Sequence, residues 1–344
     1  MKASDGRQHN KGQVGNRGGK GNVRKACPAG AARSPKKRAR PRFAFRTYRI
    51  SNLDTSLAEK AAEDHDWPDG YTVSALLKSL RARGGCMECK TYHNHADSFA
   101  RLYMEWPTLL HVNRSIRACV LWPHREYYSD VDMQKAHNHI CQYYARGAKL
   151  SLKALPDYLK NNKTKHKELL AQGLDAGDVK QLWISLLNSG TIRGWLYGLT
   201  RKYGGHRIVL SKKLMTHLDL FISEVGQVRL AVLSQKEWQD RAKKTFPSLK
   251  GHTLTKKVWN AALTSMEAKL MKSLEELVRS GVGGAARVCM PSYDGLLLHH
   301  QPGILDMSAL CAAWDKLCEA TYGQRFPITQ KDYTVDMPRW LLRQ

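Results

Sequence analysis

From residue 253 to 281 the apolar positions Val258, Ala262, Met266, Leu270, Leu274 and Leu277 recur every three or four residues. That spacing lines one stripe of a long helix, and Gly281 supplies its stop. The run "DAGDVKQLWISLLNSGTIRGWLYGL" (175–199) opens with acids suited to a helix N-terminus, sets Val179, Leu182, Leu186 and Leu187 on one face, and then meets glycines. "DGYTVSALLKSLRARGG" (69–85) reads as a shorter helix with a double-glycine stop. Two apolar runs flank Ser-Tyr-Asp-Gly in "ARVCMPSYDGLLLHH" (286–300), which predicts strand, tight turn and strand. In "EYYSDVDMQKAHNH" (126–139) an aromatic, β-friendly stretch carries Asp130 and Asp132, and a more helical stretch follows. No internal repeat is visible, and strands flanking long helices predict an α+β fold.

Charge divides the chain. Of a net +26, residues 1–50 hold +14, with fifteen Lys or Arg against Asp5 alone. Large apolar residues are scarce before Phe43, so residues 1–42 read as a disordered basic arm that cannot bury enough surface to fold. The globular pattern begins near residue 46, and a 42% hydrophobic chain of 344 residues can build a sizeable core. Such a basic protein suits a polyanion, nucleic acid first. No apolar run approaches the roughly 18 residues of a membrane span, and no signal-peptide core follows Met1. Eight irregularly spaced cysteines fit a reducing, intracellular compartment. The arm's "SPKKRARPR" (34–42) has the form of a nuclear-import signal, although such runs are also plain phosphate contacts.

An acid at a hairpin tip, Asp294, points out of a sheet edge where a ligand can reach it, although Asp-Gly is also ordinary turn chemistry. Taken with the acids at 130 and 132, it belongs to an ordered set. "ARLY" (100–103), "WPTLLHVNRSIRACV" (106–120), "DVDMQKAH" (130–137), "VKQLWISLLNSGTIRGW" (179–195) and "SYDGLLL" (292–298) follow in the order and spacing of the palm and fingers motifs of family A DNA polymerases. The set spans about 200 residues and most resembles the diverged polymerases of transposons and viruses. The resemblance implies a right-hand polymerase with a small antiparallel palm sheet and helical fingers. Its parts would be the arm (1–42), a helical or irregular connector or thumb-like segment (43–99), the first part of the palm (100–149), the fingers (150–284) and the second part of the palm with the catalytic hairpin (285–344).

The implied activity is template-directed DNA synthesis from dNTPs onto a primer 3′-hydroxyl. That chemistry uses two Mg²⁺ ions, with Mn²⁺ able to substitute, held by hard oxygen ligands from distant parts of the chain. The resemblance gives Asp132 and Asp294 this part. Asp130 is either a helper ligand or a strand-end charge. Lys180 would meet the incoming triphosphate as a point charge, against a plain reading as a surface lysine. Asn188 stands where the family has Tyr, Ser189 where it has Gly, and Ala176 where it has Arg, so a degenerate, inactive relative stays open. Arg101 and Arg117 match primer or template backbone contacts, or serve as structural ion pairs. Tyr293 replaces a histidine that hydrogen-bonds the primer end. His137, five residues after Asp132, would pack beneath the sugar and exclude a 2′-hydroxyl, which disfavours a single-subunit RNA polymerase; the alternative is a histidine of the core.

Cys86, Cys89, His93 and His95 include the ligand types of a structural zinc at a cramped spacing, and the alternative is a polar connector leading into the palm. No second carboxylate cluster precedes residue 100, so no proofreading exonuclease is expected. No Gly-rich loop ends in Gly-Lys-Ser/Thr, which excludes a P-loop motor. A helicase or replication factor would then act in trans.

Overall fold

The computed structural model describes residues 47–63, 70–92, 103–104, 108–112, 114–204 and 208–336. Arg101, His93, His95 and the basic arm lie outside them. The chain begins with β1 (Thr47–Ile50), α1 (Ser56–Glu63), α2 (Gly70–Ala82), β2 (Met87–Tyr92), β3 (Tyr103–Met104) and α3 (Arg114–Leu121). Next come β4 (Tyr128–Met133), α4 (Ala136–Gly147), α5 (Ala154–Leu170), α6 (Ala176–Leu187), α7 (Ile192–Lys202), α8 (Lys212–Leu233), α9 (Lys236–Thr245) and α10 (Gly251–Arg279). It closes with β5 (Ala286–Ser292), β6 (Gly295–His300), α11 (Met307–Tyr322) and β7 (Ile328–Gln330).

Two antiparallel sheets form, β1-β2-β3 and β5-β6-β4-β7. The mixture of helices and small antiparallel sheets is the expected α+β fold. In the larger sheet β4 is central, and its Tyr128, Ser129, Asp130, Val131 and Met133 are all buried. The periodic run at 253–281 forms α10, about 44 Å long at 1.5 Å per residue. Val258, Ala262, Met266, Leu270 and Leu274 of its predicted stripe are buried, while Leu277 is partly covered. α10 packs against α4, α8 and β5, so one helix backs both the sheet and the helical region.

The segment at 175–199 is two helices. α6 ends at Asn188, whose Nδ2 donates to Ile184 O at 2.9 Å. Ser189 then turns left-handed at φ +68°, and a Cβ at Gly190 would lie 2.7 Å from Ser185 O. Thr191 restarts the helix, accepting from Gly194 N at 3.0 Å. No helix among the described residues is long and apolar enough to cross a membrane.

Candidate active site

The site is assembled from β4, the β5–β6 turn and the residue after β7. Asp130 and Asp132 stand two apart on β4 and therefore share a face. Asp132 pairs across the ladder with Gly295, and Met133 N donates to Asp294 O at 2.7 Å. Asp294 is thereby fixed beside Asp132, 162 positions away in sequence. The turn is the two residues Tyr293 and Asp294, since Ser292 pairs with Gly295. Neither turn residue has a positive φ. Gly295 thus serves close packing, because a Cβ there would sit 2.2 Å from Val131 O and 3.1 Å from Asp132 Cα.

Lys331 is the residue that sequence reasoning missed. Its backbone N donates to Asp130 O at 2.8 Å, continuing the β4–β7 edge. Its Nζ lies 3.1 Å from Asp132 Oδ1 and 3.5 Å from Asp130 Oδ1. Arg117 of α3 approaches the other Asp130 oxygen at 4.0 Å. Asp130 therefore has two cations near it inside the fold, Lys331 and Arg117. Burial first, and the neighbouring Asp294 charge second, raise the Asp132 carboxyl to about 7 against the downward pull of Lys331.

Asp132 Oδ1 is buried and, despite the nearby ammonium, no donor is aimed at it in hydrogen-bond geometry. Ser292 Oγ, at the end of β5, is likewise buried without a partner. Together with the Asp294 carboxylate these are hard oxygen donors, the donor chemistry Mg²⁺ takes. Among the described residues no group of three or more His, Cys, Asp or Glu converges as a metal cluster. Two carboxylates fit a Mg²⁺ ion whose remaining ligands are waters or other oxygens.

The other predicted residues stand on several elements. After β4 the chain turns through Lys135, left-handed at φ +48°, and starts α4. Lys135 Nζ donates to Leu159 O at 2.7 Å and lies 5.4 Å from the Tyr158 ring, tying that turn to α5. His137 stands in the first turn of α4, with Nε2 3.4 Å from Oε1 of the buried Glu267 on α10. Tyr293 is 40% exposed at the hairpin tip. Lys180 is exposed on α6 and forms no ion pair with a described acid. Asn188 caps that helix, and Arg229 of α8 hydrogen-bonds Ser189 Oγ. These contacts unite Asp130, Asp132, Asp294 and Arg117, and leave Lys180 and Asn188 on a separate element. Of the cysteine-histidine group, Cys86 is half-buried and Cys89 fully buried, with its thiol raised to about 12 by burial.

No protein-family model matches the chain, and no curated protein does. Among solved structures it is similar to the POL domain of Pol1 from M. smegmatis in complex with DNA primer-template and dNTP. The TM-score is 0.44 and the identity 14%, over 76% of this chain and 50% of that one, so the chain spans about half the length of that structure. A likeness this loose leaves the functional reading to the chain's own residues.

Proposed function

We propose that this chain is a template-directed DNA polymerase, with Asp132 and Asp294 as its metal-binding carboxylates. The observation that carries the reading is their convergence: Asp132 on β4 and Asp294 in the β5–β6 turn come from remote segments, joined by the Met133–Asp294 hydrogen bond and allowed by Gly295. In this reading residues 100–149 and 285–344 make the palm and 150–284 the fingers. Mg²⁺, when bound, would supply charge stabilisation at the triphosphate and at the primer hydroxyl. Asp132 would have to lose its proton to serve, and a divalent cation favours that loss. Tyr293, at the tip beside Asp294, would hydrogen-bond the primer end. His137, held against Glu267, would limit space at the sugar. Lys180 on its exposed face would meet the triphosphate once the helical region approaches the sheet.

A second reading, a polymerase-like nucleic-acid-binding protein without activity, is favoured by Ala176, Asn188 and Ser189 where the family grips the nucleotide. Primer extension on a primed DNA template with Mg²⁺ and four dNTPs separates the two. Asp132→Asn and Asp294→Asn should each reduce extension by several orders of magnitude, because a lost metal ligand costs several kcal/mol at the transition state. Their melting should stay cooperative. Wild-type rates in either variant would remove the catalytic assignment, and no extension by the wild type would leave the second reading.

A further inference from the structure

We infer that a pocket at the opposite end of the β4–β6 ladder is a nucleobase-binding site. The acids stand at the Asp132–Gly295 rung, whereas this pocket opens at the Tyr128–His299 rung. Four residues of strand separate the two, about 13 Å. The cavity measures about 420 Å³ and is lined by Asn52, His124, Tyr127, Tyr128, His299 and Gln301. That volume falls within the range of small-ligand sites, about 300–1,000 Å³.

The lining has the chemistry of a base site. Tyr127 and His299 are near-parallel, 18° apart with centroids at 6.2 Å. Tyr128 meets His299 edge-on at 70°, and His124 meets Tyr127 at 62°. Rings in two nearly perpendicular orientations form a corner, where a planar ligand can stack on one pair and abut the other. Asn52 and Gln301 are exposed, and each amide carries both donor and acceptor, the complement of a base edge. His299 is kept largely neutral by burial and by the charge of Arg287, so its face suits an uncharged ring. His300, the next residue, faces away and meets Ser129 Oγ at 2.9 Å.

Arginines neighbour the lining residues across the ladder and along the chain. Arg287 is the cross-strand partner of His299, and Arg125 lies 4.3 Å over the Trp122 ring, two residues before Tyr127. Asp54, engaged with Ser56 N at 2.7 Å, is the acid near His124. Aromatic faces flanked by guanidinium groups are how proteins hold bases of single strands, and a chain of net charge +26 meets such strands readily. The base can come from a strand or from a free nucleoside or nucleotide. This inference does not rest on the polymerase reading.

The test titrates full-length protein in EDTA with 2-aminopurine deoxyriboside, an uncharged fluorescent nucleoside. EDTA removes metal-dependent nucleotide binding at the acids, and Asp294→Asn should bind the probe as the wild type does. Saturable quenching is expected, weakened at least tenfold by Tyr127→Ala and by His299→Ala. Asn52→Asp and Gln301→Glu lie at exposed positions, so they keep the fold while altering the base edge, and each should weaken binding threefold or more. A single-stranded octamer carrying one 2-aminopurine distinguishes the sources. Binding at least tenfold tighter than the nucleoside, competed by unlabelled octamer but not by one abasic at that position, assigns the base to a strand. Equal affinity assigns it to a free nucleoside or nucleotide. No saturable quenching by either probe, or quenching unchanged in all four pocket variants, overturns the site. Displacement by tryptophanamide as effective as by deoxyadenosine would also overturn it, in favour of an aromatic peptide.

Discussion

At the scale of single residues, Lys331 and His137 carry the sharpest expectations. The Lys331 ammonium sits between Asp130 and Asp132. Lys331→Met should destabilise the metal-free protein by about 1–3 kcal/mol, since removing one partner leaves a buried carboxylate less compensated. The loss stays below that of a fully buried pair, because Arg117 still faces Asp130 and Lys331 is 24% exposed. A divalent cation at the acids would no longer have to displace an ammonium. Thermal melts with and without Mg²⁺ should therefore show a larger Mg²⁺-induced rise in Tm for Lys331→Met than for the wild type. An equal or smaller rise would show that the ammonium does not stand in the cation's place. His137→Gly tests the sugar. Relief of a steric penalty of ~2–3 kcal/mol should shift the dNTP over rNTP preference by roughly 30- to 150-fold, with a smaller fall in the dNTP rate. Single-nucleotide incorporation measures it, and an unchanged ratio would make His137 simply the partner of Glu267 in the core.

At the scale of elements, the helical region depends on a cap supplied from another helix. α5 starts at Ala154 behind Lys153, whose side chain does not cap it. Instead Glu224 of α8, 4% exposed, accepts from the backbone N–H of Lys153 at 2.6 Å, Ala154 at 2.9 Å and Leu155 at 2.9 Å. A carboxylate at a helix N-terminus is favoured by the unsatisfied donors there and by the helix dipole. Glu224→Ala strands three donors in the interior and should cost about 2–4 kcal/mol in urea denaturation, whereas Glu224→Gln keeps an acceptor and should lose less. The hairpin follows the same local logic: β5 and β6 can pair up to Ser292 only because Gly295 lets β6 approach Val131.

For the whole molecule, charge dominates. The described residues fold around α10, whose buried residues reach both the sheet and the helices, while +14 of the +26 belongs to residues 1–50. Deleting residues 1–42 should leave cooperative melting intact and flatten the salt dependence of binding to a primed DNA template, because fewer counterions are released. Filter binding across a salt series reads the slope. An unchanged slope would assign the arm to another task, with import the first candidate.

The sequence by itself determined what short-range periodicity and turn chemistry encode. α2, α10 and the β5–β6 hairpin were legible because their apolar spacing is regular and their stops are glycines. The break between α6 and α7 was legible only as glycines meeting a helix, since Asn188 and Ser189 do not announce a left-handed turn. Asp132 and Asp294 could be named from their motifs, and their adjacency was an expectation. Tertiary structure decided the rest, because the deciding contacts span long separations. β7 is three residues long, too short for a period, so Lys331 could not be placed beside acids about 200 positions earlier. Glu224 caps α5 from 70 positions away, a contact that no local pattern encodes. Gly295 read as a turn glycine and proved to be one of close approach. Local sequence sets which elements form, and packing between distant segments sets which charges meet.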